Sequence, residues 1–152
     1  MRGTYRASFT TAALVAGPSY LLQITAPATT CVEVLGASIG TTNNATNQQL
    51  EAFFQRASVT GTGSTSVTPS KDESGDQASG STVGAVPTGA PTLTANTIHG
   101  KQGFASLAGW TYSPVPEERL VVPPSGIAVL ILNTASFTSS IFDVEISYRE
   151  IG

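Results

Sequence analysis

The stretch Ile141-Phe-Asp-Val-Glu-Ile-Ser-Tyr-Arg-Glu150 alternates apolar and polar residues. Phe142, Val144, Ile146 and Tyr148 share one side, and Asp143, Glu145, Ser147 and Arg149 share the other. Successive side chains of a strand point to opposite faces, so the segment reads as a half-buried β-strand. Its apolar face needs a second layer to cover it, and its polar face needs water or a polar neighbour. A two-layered sandwich is the expected architecture.

Working back along the chain, strand-like runs recur at short intervals, each closed by turn chemistry. Thr4 to Val15 is the first and stops at Gly17-Pro18. Tyr20 to Thr25 follows, with Tyr20, Leu22 and Ile24 on one side, and Thr30 to Ile39 is the third. Gly40 to Thr46 reads as a polar loop rich in residues that tolerate positive φ. Leu50 to Val59 also fits a helical stripe through Leu50, Phe53, Phe54 and Ala57, with Asn47 as a cap. Its strand neighbours favour a strand, with the Phe53-Phe54 pair accommodated by a bulge or by burial of both faces.

From Gly61 to Pro91 the composition shifts to Gly, Ser, Thr, Pro and Ala, interrupted by the charges of Lys71-Asp-Glu-Ser-Gly-Asp76. Such a run buries little apolar area and reads as a long surface excursion or subunit contact, with room for a short strand at Ser81 to Val86. Leu93 to Leu107 should hold one or two strands, Gly109 to Pro114 and Glu118 to Val122 continue the order, and Pro123-Pro-Ser-Gly126 is a turn. Ile127 to Leu132 is apolar on both faces, as befits a central strand or one covered by another subunit. The expected fold is all-β: one domain over residues 1–152, an antiparallel, jelly-roll-like β-sandwich of eight or nine strands.

Composition narrows the function. At 152 residues the chain is one ordinary domain, able to bury roughly two-thirds of its unfolded surface without covalent staples. Only 11% of residues are charged, and seven basic against ten acidic residues leave a net charge of −3. No Lys/Arg cluster can neutralise a row of phosphates, so direct nucleic-acid binding is not expected. No segment approaches the roughly twenty apolar residues that span a bilayer, and the polar interruptions near Ala12-Ala-Leu-Val-Ala16 argue against a signal peptide. The protein is expected to be soluble, made in a cytoplasm, and without a membrane partner.

Residues capable of chemistry are few. His99 is the only histidine and Cys31 the only cysteine, too few for a zinc site or a nucleophile with its base. Cys31, inside a strand-like run, reads as an inert buried thiol. Asp72, Glu73 and Asp76 lack the regular oxygen-ligand spacing of a calcium loop. Glu117 and Glu118 are adjacent and would point apart on a strand, unlike the paired carboxylates of a glycosidase. Asn44-Ala45-Thr46 matches the glycosylation pattern, which is common by chance. No catalytic, cofactor or metal site is expected. Trp110 and Tyr112 share one side of a strand, where they suit either core packing or a stacking and anchoring role at a contact.

Several stretches taken together resemble small β-rich proteins encoded among the head and structural genes of tailed bacteriophages. They are Leu22-Gln-Ile-Thr-Ala-Pro27, Arg56 to Pro69, Gly109-Trp-Thr-Tyr-Ser-Pro114 and Pro116 to Gly126, and the similarity is one of order and spacing over nearly the whole chain. The resemblance implies a non-enzymatic auxiliary virion protein of the capsid decoration, or cement, type. Its partner would be the major capsid protein on the outer shell, and it would act as a symmetric homo-oligomer, a trimer by preference or a dimer. The expected protein-contact residues are Met1, Arg2, Tyr5 and Arg6 at the N-terminal segment and Trp110, Tyr112 and Pro114 along one edge. Competing expectations are another virion part, such as a head-fibre base or tail component, and a carbohydrate- or host-binding sandwich using Trp110 and Tyr112.

Overall fold

The computed structural model describes residues 3–42 and 46–152. Among them run twelve strands: β1 (Thr4–Thr10), β2 (Ser19–Thr25), β3 (Cys31–Thr41), β4 (Gln49–Val59), β5 (Thr65–Val67), β6 (Ser70–Lys71), β7 (Thr82–Ala85), β8 (Thr92–Ala105), β9 (Trp110–Tyr112), β10 (Val121–Val122), β11 (Ile127–Leu132) and β12 (Phe142–Ile151). A single 3-10 turn, Pro116–Glu118, precedes β10. The first sheet runs β10-β3-β12-β1-β6, with β9 also paired to β3, and the second runs β5-β7-β2-β11-β4-β8. All these pairings are antiparallel. The two sheets pack face to face as a β-sandwich.

The alternation of β12 does what its pattern demands. Phe142, Val144, Ile146 and Tyr148 are buried, while Asp143 is exposed and Glu145, Ser147 and Arg149 are partly exposed. On one side β12 pairs with β1, setting Ala7 opposite Ile146 and Tyr5 opposite Tyr148. On the other it pairs along the whole of β3. Facing this layer are the inward residues of the second sheet, among them Leu22, Ile24, Phe54, Leu130 and Leu132.

β11 is central in its sheet, held between β2 and β4. Ala128, Leu130 and Leu132 enter the main core, and Ile127, Val129 and Ile131 join Phe53, Ala57, Tyr20 and Leu93 in a second cluster. That division explains the Phe53-Phe54 pair: adjacent strand residues face opposite ways, and here both sides are apolar. The segment is a strand because β8 and β11 satisfy its backbone on both edges.

Several expectations need correction. Among the described residues the strands number twelve instead of eight or nine, in part because the short β5 and β6 form where a loop was expected. The first strand ends at Thr10; beyond it the Thr11 N–H still reaches the Phe142 carbonyl, and a bridge between Leu14 and Ser140 keeps the chain beside its sheet. The one or two strands expected over Leu93 to Leu107 are one, β8, which stops at Ala105 and is interrupted where residues 94–97 bulge out between the pairs Gln55–Ile98 and Ala57–Leu93. Cys31, at the start of β3, is a free thiol and only half-buried. At the turn after β10 the positive φ belongs to Ser125, at 59°. Gly126 is required there for space, since a Cβ would sit 2.8 Å from the Pro123 carbonyl oxygen.

The largest correction concerns residues 61–91: the short strand expected at Ser81 to Val86 forms as β7, but the rest of the segment, though largely exposed, is also tied into the sandwich. β6 extends the first sheet beside β1, and β7 and β5 extend the second beside β2. Val83 and Ala85 of β7 are buried. The buried amide of Gln23 clasps the start of the segment: its Oε1 accepts from the Gly61 N–H at 2.8 Å and its Nε2 donates to the Gly61 carbonyl at 3.0 Å. Polar groups buried this way stay inside only because each finds a partner. Truncation in Gln23→Ala would strand the Gly61 amide and carbonyl. The expected loss is about 1–3 kcal/mol of unfolding free energy in urea titrations, with the transition still cooperative.

Candidate contact surface

Alternation along β1 determines what the N-terminal strand presents. Arg6 is exposed, its Nε donating to Asp72 Oδ1 at 3.0 Å and its Nη1 lying 3.7 Å from Glu145 Oε1. Exposed pairs of this kind contribute little to stability, so they serve better as a polar surface than as glue. Tyr5 turns the other way and is fully buried, its ring 5.6 Å from that of Tyr148 and its hydroxyl donating to the Gln77 carbonyl at 2.9 Å. Met1 and Arg2 lie outside the described residues.

β9 is placed with equal definiteness. Trp110 and Tyr112 both face inward at 2% and 8% exposure, stacked on each other with ring centroids 6.1 Å apart. Phe54 of the opposite sheet meets Tyr112 edge-on at 5.5 Å and Trp110 at 6.1 Å. The Tyr112 hydroxyl donates to the Glu118 carbonyl and accepts from the Leu120 N–H, tying the 3-10 turn to the core, and burial raises its pKa. Gly100, at φ +66°, lies flat on the Tyr112 ring, where a Cβ would come within 2.5 Å of the ring. Tyr5, Trp110 and Tyr112 are therefore core residues: of the alternatives expected for Trp110 and Tyr112 core packing is the one seen, and none of the three rings is presented as the expected contact surface. A partner reaching this side of the molecule meets Thr111, Ser113 and the half-buried Pro114.

A shallow groove of about 760 Å³ crosses the outer face of the first sheet. Ser8, Thr10, Ser38, Asp143 and Glu145 form its floor, and the exposed Leu107 rises at its rim. The Thr10 hydroxyl donates to Asp143 Oδ1 at 2.6 Å. His99 borders a separate cleft of about 530 Å³ with Tyr112, Ser113 and Glu118. Partial burial lowers its pKa, helped by the Arg56 charge. No hydrogen bond orients its ring among the described residues. Among those residues no three His, Cys, Asp or Glu side chains gather as a metal site, and no helix is long and apolar enough to cross a membrane. Asn44 and Ala45 of the glycosylation pattern lie outside the described residues.

Two buried carboxylates escaped the alternation argument. Glu33, on β3, meets Arg119 Nη1 at 3.4 Å and the Arg149 guanidinium. Glu150 continues the inward face of β12 beyond Tyr148 and is fully buried. Its Oε1 accepts from the Ser79 hydroxyl at 2.8 Å, the Ser81 N–H at 2.8 Å and the Ser81 hydroxyl at 2.7 Å. The Tyr148 hydroxyl shares the Ser79 hydroxyl at 2.8 Å. The parity of Glu150 with Tyr148 was the available signal; its serine partners are some seventy positions away along the chain.

The chain matches no protein-family model, no curated protein and no solved structure. Its own residues therefore carry the functional argument.

Burial pushes the Glu150 carboxyl up, but the side chains of Ser81 and Ser79 and the N–H groups of Ser81 and Gly80 outweigh it, leaving the pKa below its ordinary 4.5. Burial, foremost, pushes Tyr148 up to about 12. A carboxyl lowered on folding contributes stability that is complete above its unfolded value and lost as pH falls through its folded one. Urea titrations from about pH 7 to about pH 2 should show this acid limb, and Glu150→Gln should flatten it. The variant should also unfold about 1–3 kcal/mol more easily at neutral pH, through lost charge-assisted hydrogen bonds.

Proposed function

We propose that this protein is a non-enzymatic virion structural protein that binds the outer surface of a phage capsid and stabilises it by bridging capsomers. The observation that carries this reading is the strand order. From β1 to β4 successive long strands alternate between layers, β8 then stays beside β4, and the alternation resumes through the short β9 and β10 to β11 and β12, giving β1-β12-β3 with β9 and β10 in one sheet and β2-β11-β4-β8 in the other. We read that order as two Greek keys closed into a jelly roll, an architecture recurrent in viral shells and lectins. On this reading residues 61–91 are an insertion between the β4 and β8 positions that widens both sheets at one side.

The resemblance over Leu22–Pro27, Arg56–Pro69, Gly109–Pro114 and Pro116–Gly126 supports the same assignment and selects the decoration, or cement, class. A cement protein works by mass action: binding the assembled shell and not its parts stabilises the assembly by its binding free energy. Repetition over a lattice makes modest contacts cumulative. A rigid sandwich suits this task because little ordering entropy is lost on docking. The net charge of −3 favours the outside of a shell over its DNA-filled interior. The working form is a homo-oligomer, a trimer at a three-fold lattice position by preference and a dimer otherwise. Of the residues proposed to touch the major capsid protein, Arg6 and Pro114 are the accessible ones among those described, and Met1 and Arg2 belong to the same proposal.

Particles assembled without the protein should form normally but release DNA at lower temperature, and adding it back should restore retention. Equal heat survival of decorated and undecorated particles would remove the capsid-stabilising function. Cryo-electron microscopy of intact particles distinguishes a shell location from a head-fibre or tail location.

A further inference from the structure

The sandwich has one open corner. β6 pairs with β1 only at Tyr5 and Arg6, so beyond Arg6 no strand lies on that side of β1 among the described residues. In an antiparallel strand the main-chain groups of alternate residues point to the same side. The Asp72 N–H reaches the Thr4 carbonyl, and the Thr11 N–H reaches Phe142 of β12. Odd-numbered residues of β1 therefore face β12 and even-numbered ones face outward, which leaves the N–H and C=O groups of Ser8 and Thr10 pointing out from an exposed edge.

Directly beneath that edge, between β1 and β5, lies a groove of about 500 Å³ bounded by Phe9, Ala12, Val67, Ala85 and Val86. Phe9 and Val67 are half-buried and lean on the main core. No charged side chain lines this groove. The remaining edges are guarded by familiar means: β6 leads into the charged Lys71–Asp76 loop, β8 carries a bulge and Lys101, β5 and β9 are only three residues long, and β10 is two residues long and runs into Pro123-Pro124.

We propose that this corner is a docking site for an extended segment of a partner polypeptide. The segment adds a strand beside Ser8 and Thr10 and seats alternate apolar side chains over Phe9 and Val67. Length decides between this occupant and a second copy. The free edge, Ala7 to Thr10, spans only about 13 Å at 3.3 Å per residue, and a copy joined there alone would fall far short of the roughly 1,200 Å² of a stable interface. A flexible arm needs no such area from a rigid body and can fill the groove as well as the edge. Charge complementarity sets its outward side. Asp143, across from Thr10, meets no cationic side chain among the described residues, so an outward Lys or Arg of the arm has a carboxylate to reach.

The inference goes beyond the capsid reading and does not rest on it. The test uses the full-length protein labelled with nitrogen-15 and a synthetic peptide, acetyl-Thr-Val-Lys-Val-Thr-Val-Thr-amide. Saturating peptide should slow amide exchange at Ser8 and Thr10 by about tenfold or more while Ala7 and Phe9, already bonded to β12, barely change. Ser8→Pro removes an outward N–H that no strand uses; it should leave the unfolding midpoint nearly unchanged and abolish protection at Thr10. The same peptide N-methylated on its central residues should give no protection on the unaltered protein, an arm that needs no variant to fold. Asp143→Asn should weaken the Lys peptide about threefold to tenfold while leaving a Gln-for-Lys peptide unaffected. No protection at saturation, or protection at β8 in place of β1, overturns the proposal. So does concentration-dependent protection of Ser8 and Thr10 without peptide, accompanied by a dimer in sedimentation, which would assign the edge to a second copy.

Discussion

The contact of Phe54 with Trp110 and Tyr112 is the interaction on which the rest of this molecule depends. It is made between layers: Phe54 comes from the second sheet, and the two stacked rings come from the short strand β9 of the first. Aromatic side chains bury more area than any others and prefer offset or edge-on geometries, so such a trio fixes both the spacing and the relative placement of two sheets. β9 is only three residues long, and its hold on β3 is correspondingly small. Its two rings, and the Tyr112 hydroxyl that pins the 3-10 turn, keep that part of the first sheet in place.

Polar side chains complete the other side of the sandwich. Residues 61–91 have too little apolar surface to hold themselves in place, yet they enter both sheets. Gln23 holds the start of the segment, and Tyr5, Tyr148 and Glu150 hold its later part at Gln77, Ser79 and Ser81. Each of these anchors is buried and would be costly without its partner, so together they specify one path for a segment of low intrinsic preference. The open corner at Ser8 and Thr10 is a consequence of that path: β6 departs from β1 after Arg6, and β5 joins the other sheet.

The two outer faces differ in chemistry. The first sheet shows Arg6, Asp143, Glu145 and hydroxyl side chains to the outside, whereas the second keeps an apolar cluster around Val129 beneath Tyr20 and Leu93. A protein that works by lying against neighbours can use both kinds of surface, one for orientation and one for buried area. This asymmetry fits the capsid-surface role proposed above and requires no reacting group.

The alternation of β12, the doubly apolar β11 and the turn residues between strands were enough to read an antiparallel two-layer fold from the chain alone, because period-two patterning is a local property of neighbouring residues. For Phe53 and Phe54 the same pattern left a bulge and burial on both faces open, and the doubly apolar surroundings of β4 decide for the second. Which side of β9 faces inward was not legible, since Trp110 and Tyr112 satisfy a core and a contact surface equally well until Phe54 arrives from another sheet. Nor could the chain alone reveal the partners of Gln23 and Glu150, or the gap beside Ser8 and Thr10. Those depend on pairings between residues tens of positions apart, and such distances are closed only when the two layers come together.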